Sequence, residues 1–318
     1  MTGSENIRLS VVIPFFNEEG SLEELHKRLA DVCTGDLQAA EFIFIDDGSS
    51  DKSNAIIVGL KNKDPRIRLI TFRRNMGKSE ALAIGFKQAR GEYVATMDAD
   101  LQDDPAELPG LIDQIEDGYD LVSGWKKVRH DPITKTIPSK LFNAATARLS
   151  GVYLHDFNCG LKMYRNQVIK EVVIYGERHR FIPMLAHERG FRVGEKVVKH
   201  HRREHGKTKF GAYRFIAGFF DFITLWFRMK YLSKPMHLFG TLGLISLLIG
   251  VGIIGYLSIG WFMGIWIGNR PILLIGVLAV VTGVQLFTMG LLSEMIAERS
   301  PHGDPPLRED SDIDLPQT

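Results

Sequence analysis

No charged residue falls between Pro235 and Asn269. At 1.5 Å per residue a helix of roughly 20 residues crosses the hydrocarbon of a bilayer, so a run this long and apolar is expected to lie in lipid. The first crossing is expected near His237–Ile259, ending in an aromatic belt of Trp261, Phe262 and Trp266, and the second from Pro271 to Ser293. Arg228, Lys230 and Lys234 precede the first span and Arg299 follows the second, while Arg270 stands alone between them. The preference of basic loops for the inside places both termini in the cytoplasm, with a short loop outside: a multi-pass protein of the cytoplasmic (inner) membrane.

Four regions follow. Residues 1–210 read as a cytoplasmic domain, 211–234 as a juxtamembrane amphipathic region, 235–294 as two transmembrane helices and 295–318 as a disordered tail rich in Asp and Pro. In the second region Arg214, Asp221 and Arg228 recur every seven residues as a thin polar stripe among Phe215, Ile216, Phe219, Phe220, Trp226 and Phe227. A helix so apolar suits the membrane interface better than water. The formal net charge of +1 conceals eight Lys or Arg against two acids from Arg202 to Lys234. No nucleic-acid partner is expected. Cys33 and Cys159, far apart, imply a reduced compartment without a disulfide framework. MTGSENIRLS has no basic flank before an apolar core, so no secretory signal is expected.

Upstream of residue 200 the hydrophobic pattern changes. Short apolar strands are expected at Arg8–Pro14, Glu41–Asp46, Ile67–Phe72, Tyr93–Met97, Tyr119–Ser123 and Phe191–Val198, with helical patterns between the first five and a return to the sheet at His155–Tyr164. Ser50 or Asp51 is the expected N-cap of the second helix. Strand and helix alternate roughly every 25–30 residues, the rhythm of a doubly wound, mostly parallel α/β sheet. Such sheets bind ligands beyond the carboxyl ends of their strands. The polar segments FFNEE, DDGSSD, RRNMGK and DADLQDD all fall there. Neither G-x-G-x-x-G nor G-x-x-x-x-G-K-[ST] is present, which argues against a dinucleotide-binding Rossmann domain and a P-loop NTPase. Lys126–Lys140, basic and without periodicity, reads as a mobile loop or a plain surface connection, with a short helix at Leu141–Leu149.

The segment YVATMDADLQDDP delivers Asp98 and Asp100, one residue apart, from a strand end into a loop. Paired carboxylates in that setting are hard oxygen ligands suited to Mg²⁺ or Mn²⁺. The histidines at 179, 187, 200, 201 and 205 have no Cys in ligand spacing, so zinc is not expected.

VVIPFFNEE, FIDDGSSD, RRNMGKSEALAIGF, MDADLQDDP, NCGLKMYR and RREHGKTKFG together resemble glycosyltransferase family 2, of the GT-A (Rossmann-like) fold. Within that family the chain looks like the polyprenyl-phosphate glycosyltransferases of the dolichol-phosphate mannose synthase and bactoprenol glucosyltransferase type. The resemblance implies that Pro14, Phe16, Asn17 and Glu18 line a base and ribose pocket read by Asp46 and Asp47. It implies that Asp98, Asp100 and Gln102 form a D-x-D-x-Q metal motif at the donor diphosphate, with Asp98 also at the nucleotide. Arg203 and Lys209 of R-x-x-G-x-[ST]-K are assigned to phosphate, with anionic lipid head groups as the other reading, and Lys126 and Arg129 to the acceptor phosphate. Asp100, Asp156 and Arg203 are the candidate catalytic residues. Asp156 stands as general base or, equally, as a residue orienting loop or acceptor, because a phosphate monoester is mostly a dianion at neutral pH.

The implied reaction is inverting, metal-dependent transfer of a hexose, glucose from UDP-glucose before the alternatives, from a nucleotide-sugar donor to undecaprenyl or another polyprenyl phosphate at the cytoplasmic face. The alternatives are a GDP-mannose enzyme of the dolichol type and a processive polysaccharide synthase. The latter is disfavoured because Q-x-x-R-W is missing and two spans enclose no obvious channel. Self-association through the glycines of the spans is expected, as is a separate flippase.

Overall fold

The apolar runs of the first 200 residues assemble into one seven-stranded sheet among the described residues. The computed structural model describes residues 7–127, 147, 151–172, 174, 178–201, 227, 235–267 and 270–299. The chain divides into two compact units, Met1–Arg214 and Phe215–Thr318.

In the first unit the elements run β1 (Leu9–Phe15), α1 (Leu22–Val32), β2 (Ala40–Asp46), α2 (Ser53–Lys61), β3 (Ile67–Thr71), α3 (Lys78–Gln88), β4 (Tyr93–Thr96), α4 (Leu108–Glu116), β5 (Leu121–Trp125), β6 (Lys162–Arg165), α5 (Asn166–Glu171), α6 (Ile182–Glu188) and β7 (Val193–Val197). The strand order is β3-β2-β1-β4-β6-β5-β7. All neighbours are parallel except β6, which runs antiparallel to β4 and β5. β1 and β2 are covered on both faces, which explains why they read as unbroken apolar runs instead of alternating ones. α1 turns Leu22, Leu25 and Leu29 inward, the three-and-four spacing of an amphipathic helix.

Local expectations shift in three places. β5 begins two residues later than expected, because Gly118 takes a φ of +106° and Tyr119 is still closing the turn after α4. The N-cap position of α2 falls on Lys52, and the Asp51 carboxylate accepts from the Ser53 amide at 3.0 Å, while Ser50 bonds to Asn17. A 3₁₀ turn, Pro105–Glu107, opens the helix after the acid motif, with Asp104 accepting from the Ala106 amide.

At the opposite end of the sheet from the polar loops, buried Glu41 ties three strands together. Its carboxylate accepts from Ser10 Oγ of β1 at 2.7 Å, from Arg68 of β3 at 3.0 Å, and from the Arg90 amide and guanidinium before β4 at 2.9 and 2.8 Å. Burial pushes this acid up, but the bonds from Arg90, Ser10 and Arg68 outweigh it and hold it below the usual carboxylate range.

The second unit consists, in its described part, of two long helices, α7 (Pro235–Phe262) and α8 (Pro271–Arg299). Both are long and apolar enough to cross a membrane, and only 17% and 11% of their apolar windows are buried. They lie against each other through glycine: a Cβ on Gly243 would sit 2.7 Å from the Phe287 amide nitrogen, and Ser246 Oγ donates to the Ala279 carbonyl. The Glu294 carboxylate accepts from the Met236 amide at 3.1 Å, closing the N-terminus of α7. Trp261, Phe262 and Trp266 are exposed at its far end. The juxtamembrane region and the tail after 299, apart from Phe227, lie outside the described residues.

Glu41→Gln should cost ~2–3 kcal/mol in urea unfolding, toward the low side for a buried ion pair because Arg68 and Arg90 are partly exposed. Since folding depresses this acid, its contribution is present above the unfolded pKa and disappears as pH falls through the folded value. The variant should therefore show a flatter loss of stability below about pH 4.5 than the parent.

Candidate active site

β1 and β4 pair from Leu9↔Tyr93 to Val12↔Thr96 and then part, with a last link from the Met97 amide to the Val12 carbonyl. β1 continues beside β2 as far as Phe15↔Asp46. Pro14 lies just past the point where β4 leaves, so its missing N–H interrupts no β1–β4 bond. From here the chain winds to β2 on one side and reaches β4 on the other. This is the topological switch point, where doubly wound sheets hold ligands.

The loops after β1 and β2 are laced together at one side of that crevice. Asn17, at a φ of +55°, accepts from the Ser50 amide at 2.8 Å and donates its own amide to Ser49 Oγ. The Glu18 amide donates to Ser53 Oγ, and Glu19 accepts from the Lys52 amide. Asp46 and Asp47 are both buried. Asp46 accepts from the Ser49 amide and Asn54 Nδ2, each at 2.8 Å, and Asp47 from the Met76 and Gly77 amides at 2.6 and 3.0 Å. Burial raises the Asp47 carboxyl despite those two amides. The two acids thus brace the loops after β2 and β3. Gly48, at a φ of +75°, lets the second loop touch the third, since a Cβ there would lie 2.6 Å from the Arg74 backbone.

The acid motif forms the other side. Asp98, with about a third of its side chain exposed, contacts the Lys78 ammonium from the first turn of α3. Burial pushes its carboxyl up, but Lys78, helped by Lys126, holds it at about 2, so it is ionised at any physiological pH. Asp100 is 8% exposed and accepts from the Gln102 amide at 3.1 Å. Leu101 between them has a φ of +62°, a costly conformation for a bulky residue and one that clusters at functional sites. Gln102 passes its carbonyl to the His201 amide, and Asp104 contacts His201 Nε2 at 3.1 Å. Asp103 is fully buried and pairs with Lys126 at 2.8 Å. Burial would lower that ammonium, but the Asp103 carboxylate overrides it and keeps it charged. Gly160 presses on the same corner, for a Cβ there would be 2.5 Å from Asp98 Oδ2.

Sequence reasoning missed Lys78, Asp103 and Gly160. The signal for Lys78 was its place after Gly77 at a strand-end loop, but its partner is 20 residues away. Lys126, expected on a loop over the site, stands immediately after β5 and is anchored to Asp103. Asp156 is 2% exposed, and its carboxylate accepts from the Asn158 amide, an arrangement that orders its own loop. Arg129, Arg203 and Lys209 lie outside the described residues. Of the histidines, His179 bonds to Ser79 and His201 to Asp104, and no three His, Cys, Asp or Glu among the described residues form a metal cage.

Among the described residues no all-protein cage forms, and another kind of site is to be considered. Mg²⁺ keeps several waters and binds through one or two carboxylates plus substrate phosphates. Asp98 and Asp100 supply hard oxygens, and the Lys78 ammonium on Asp98 shows that the corner already draws a cation. The residues fit a metal held between carboxylate and phosphate.

A family profile described as glycosyl transferase family 2 matches residues 10–173. The dodecaprenyl-phosphate galacturonate synthase of Rhizobium johnstonii is 39% identical over 302 residues, 92% of this chain and 88% of that one. The undecaprenyl-phosphate 4-deoxy-4-formamido-L-arabinose transferase of Pseudomonas aeruginosa is 36% identical over 91% of this chain and 84% of its own length. Among solved structures, the mannosyltransferase PcManGT from Pyrobaculum calidifontis, in complex with GDP-Man and Mn²⁺, superposes with a TM-score of 0.52 at 16% identity over 90% of this chain and 88% of that one. Glucosyl-3-phosphoglycerate synthase from Mycobacterium tuberculosis gives 0.53 at 19% identity, over 67% of this chain and 79% of its own. At such identities the two structures establish a shared GT-A fold.

Lys126→Met should destabilise the protein by ~3–5 kcal/mol, because it strands the Asp103 charge in the interior. Adding Asp103→Asn should restore most of the loss, as measured by chemical unfolding of the single and double variants.

Proposed function

The chain belongs to glycosyl transferase family 2, and from that premise we propose that it transfers one sugar from a nucleotide diphosphate donor to a polyprenyl phosphate at the cytoplasmic face of a membrane. The observation that carries this reading is an acid corner at the switch point of a GT-A sheet, in one chain with two helices long enough to span a bilayer. The polyprenyl-phosphate enzymes named above, similar over most of both chains, support the acceptor. The mannosyltransferase with GDP-Man and Mn²⁺ supports the donor class and the metal.

The chemistry is set by charge. An acceptor phosphate oxygen attacks the anomeric carbon as the bond to the diphosphate breaks, which inverts that carbon and leaves negative charge on the nucleotide. Mg²⁺ or Mn²⁺, held by Asp98, Asp100 and the Gln102 side-chain oxygen, would neutralise that charge. Lys78 brings a fixed positive charge to the same place. Arg203 and Lys209 are assigned to phosphate, and Arg129 to the acceptor, from their motifs in the sequence. Lys126, tied to Asp103, acts through its field and through positioning. Pro14, Phe16, Asn17 and Glu18 line the nucleotide side, where Asp46 and Asp47 hold the loops in shape and offer any remaining lone pair to base or ribose. Because the attacking phosphate is mostly a dianion, Asp156 is assigned to orienting its loop and not to removing a proton.

Glucose, expected from sequence, is the sugar of neither polyprenyl-phosphate relative; theirs are galacturonate and 4-deoxy-4-formamido-L-arabinose. Both termini are placed in the cytoplasm, with self-association through the spans and a separate flippase for the product.

With full-length enzyme in nanodiscs, polyprenyl phosphate, Mn²⁺ and a panel of radiolabelled nucleotide sugars, one donor should give a lipid carrying a single sugar. Asp100→Ala should lower kcat at least about a hundredfold. Full transfer by that variant, or no lipid product from any donor, rejects the reading. Activity should rise through an apparent pKa of about 6 as the acceptor phosphate loses its second proton, with no further acid limb from Asp98 down to pH 4.

A further inference from the structure

The two oxygens of Asp98 have different surroundings. Oδ2 lies against Gly160, where a Cβ would sit 2.5 Å away, and Oδ1 receives the Lys78 ammonium. The oxygen turned away from the wall is therefore one that already holds a cation. A divalent ion at ligand distance from it would stand beside that ammonium, and two positive charges so close repel each other strongly.

Lys78 sits at an unfavourable place on its own helix. It opens α3, directly after Gly77 at a φ of +94°, and a cation in a first turn opposes the helix dipole. Contact with Asp98 offsets that cost. The side chains of Lys78 and Asp98 are 32% and 35% exposed, and lysine carries its ammonium on a flexible four-carbon stem, so this contact can open. Lys126 differs, being 12% exposed with a partner, Asp103, at 0%. Retreat inward gains Lys78 nothing. The small cavity behind it is lined by Lys162 and Arg180, and burial together with Lys78 itself already pushes the Lys162 ammonium down. Once displaced from Asp98, the Lys78 ammonium needs an anion on the solvent side.

We propose that Lys78 is the resident counter-ion of Asp98 and yields it only to a divalent ion that arrives with a nucleoside diphosphate, whose oxygens then take the ammonium. Metal and nucleotide are thereby coupled: each binds weakly alone, and each helps the other by the same factor. This order of binding rests on the transferase reading above and adds a regulation of that same site.

Two binding measurements on full-length enzyme in nanodiscs of zwitterionic lipid test it without turnover. Mn²⁺ binding in the absence of nucleotide is read by electron paramagnetic resonance of the free ion, with empty discs as the blank. Binding of radiolabelled UDP and GDP is read at zero and at saturating Mn²⁺. In the wild type Mn²⁺ should tighten one of the two nucleotides at least about tenfold. Lys78→Met should tighten Mn²⁺ on the nucleotide-free enzyme at least about tenfold and lower the coupling factor at least about fivefold. In an Asp98→Asn background the same substitution should leave Mn²⁺ binding unchanged, since the carboxylate contested by the two cations is gone. A wild-type enzyme whose nucleotide binding is indifferent to Mn²⁺ overturns the proposal whether or not any variant folds. So does a Lys78→Met enzyme that binds Mn²⁺ more tightly with an unchanged coupling factor, which reduces Lys78 to a general field. Lipid product from a nucleotide sugar alongside either result keeps the transferase reading and sinks only the order of binding. No product from any donor sinks the transferase reading and the order of binding with it.

Discussion

Negative charge gathered at the end of one short strand governs the organisation of the first unit. Asp98, Asp100 and Asp103 emerge within seven residues of the end of β4, and such a concentration is tolerable only with cations close by. The fold brings them from elements far apart in the chain, Lys78 from the start of α3 and Lys126 from the end of β5. One pair is sealed in the interior and fixes the corner's shape. The other is partly open to solvent and marks where a ligand's charge would be met. Without this division the motif would be a solvated turn.

The frame that holds the corner is built from both ends of the sheet. At one end Glu41 locks β1, β2, β3 and the approach to β4 through arginines and a serine. At the other, Asp46 and Asp47 accept from backbone amides in the loops after β2 and β3, and Asn17, Glu18 and Glu19 tie in the loop after β1. The positive φ values of Asn17 and Leu101 sit in the two motif loops facing the crevice, which is where a preorganised site concentrates strain. The arrangement suits transfer chemistry in which stabilisation comes from fixed charges and dipoles more than from a moving proton.

The second unit solves a different problem. Its helices expose Leu, Ile and Val over most of their surface and save close contact for glycine positions, where backbones can approach. A glycosyltransferase joined to such a unit has a reason to meet its acceptor at a membrane, since a lipid phosphate is delivered there in two dimensions.

The sequence by itself determined the parallel α/β rhythm, the placement of four polar segments at strand ends, both membrane-length helices and the family. These depend on local periodicity and on contiguous motifs, and a one-dimensional pattern records such properties directly. Tertiary structure alone decided what each acid meets: Asp46 and Asp47 look like Asp98 in sequence yet accept from backbone amides, while Asp98 meets the Lys78 ammonium. It alone joined Lys78 to Asp98, Lys126 to Asp103 and Gly160 to the acid corner. The physical reason is that electrostatic partnership depends on distance through space, and these partners lie some 20 to 60 residues apart along the chain.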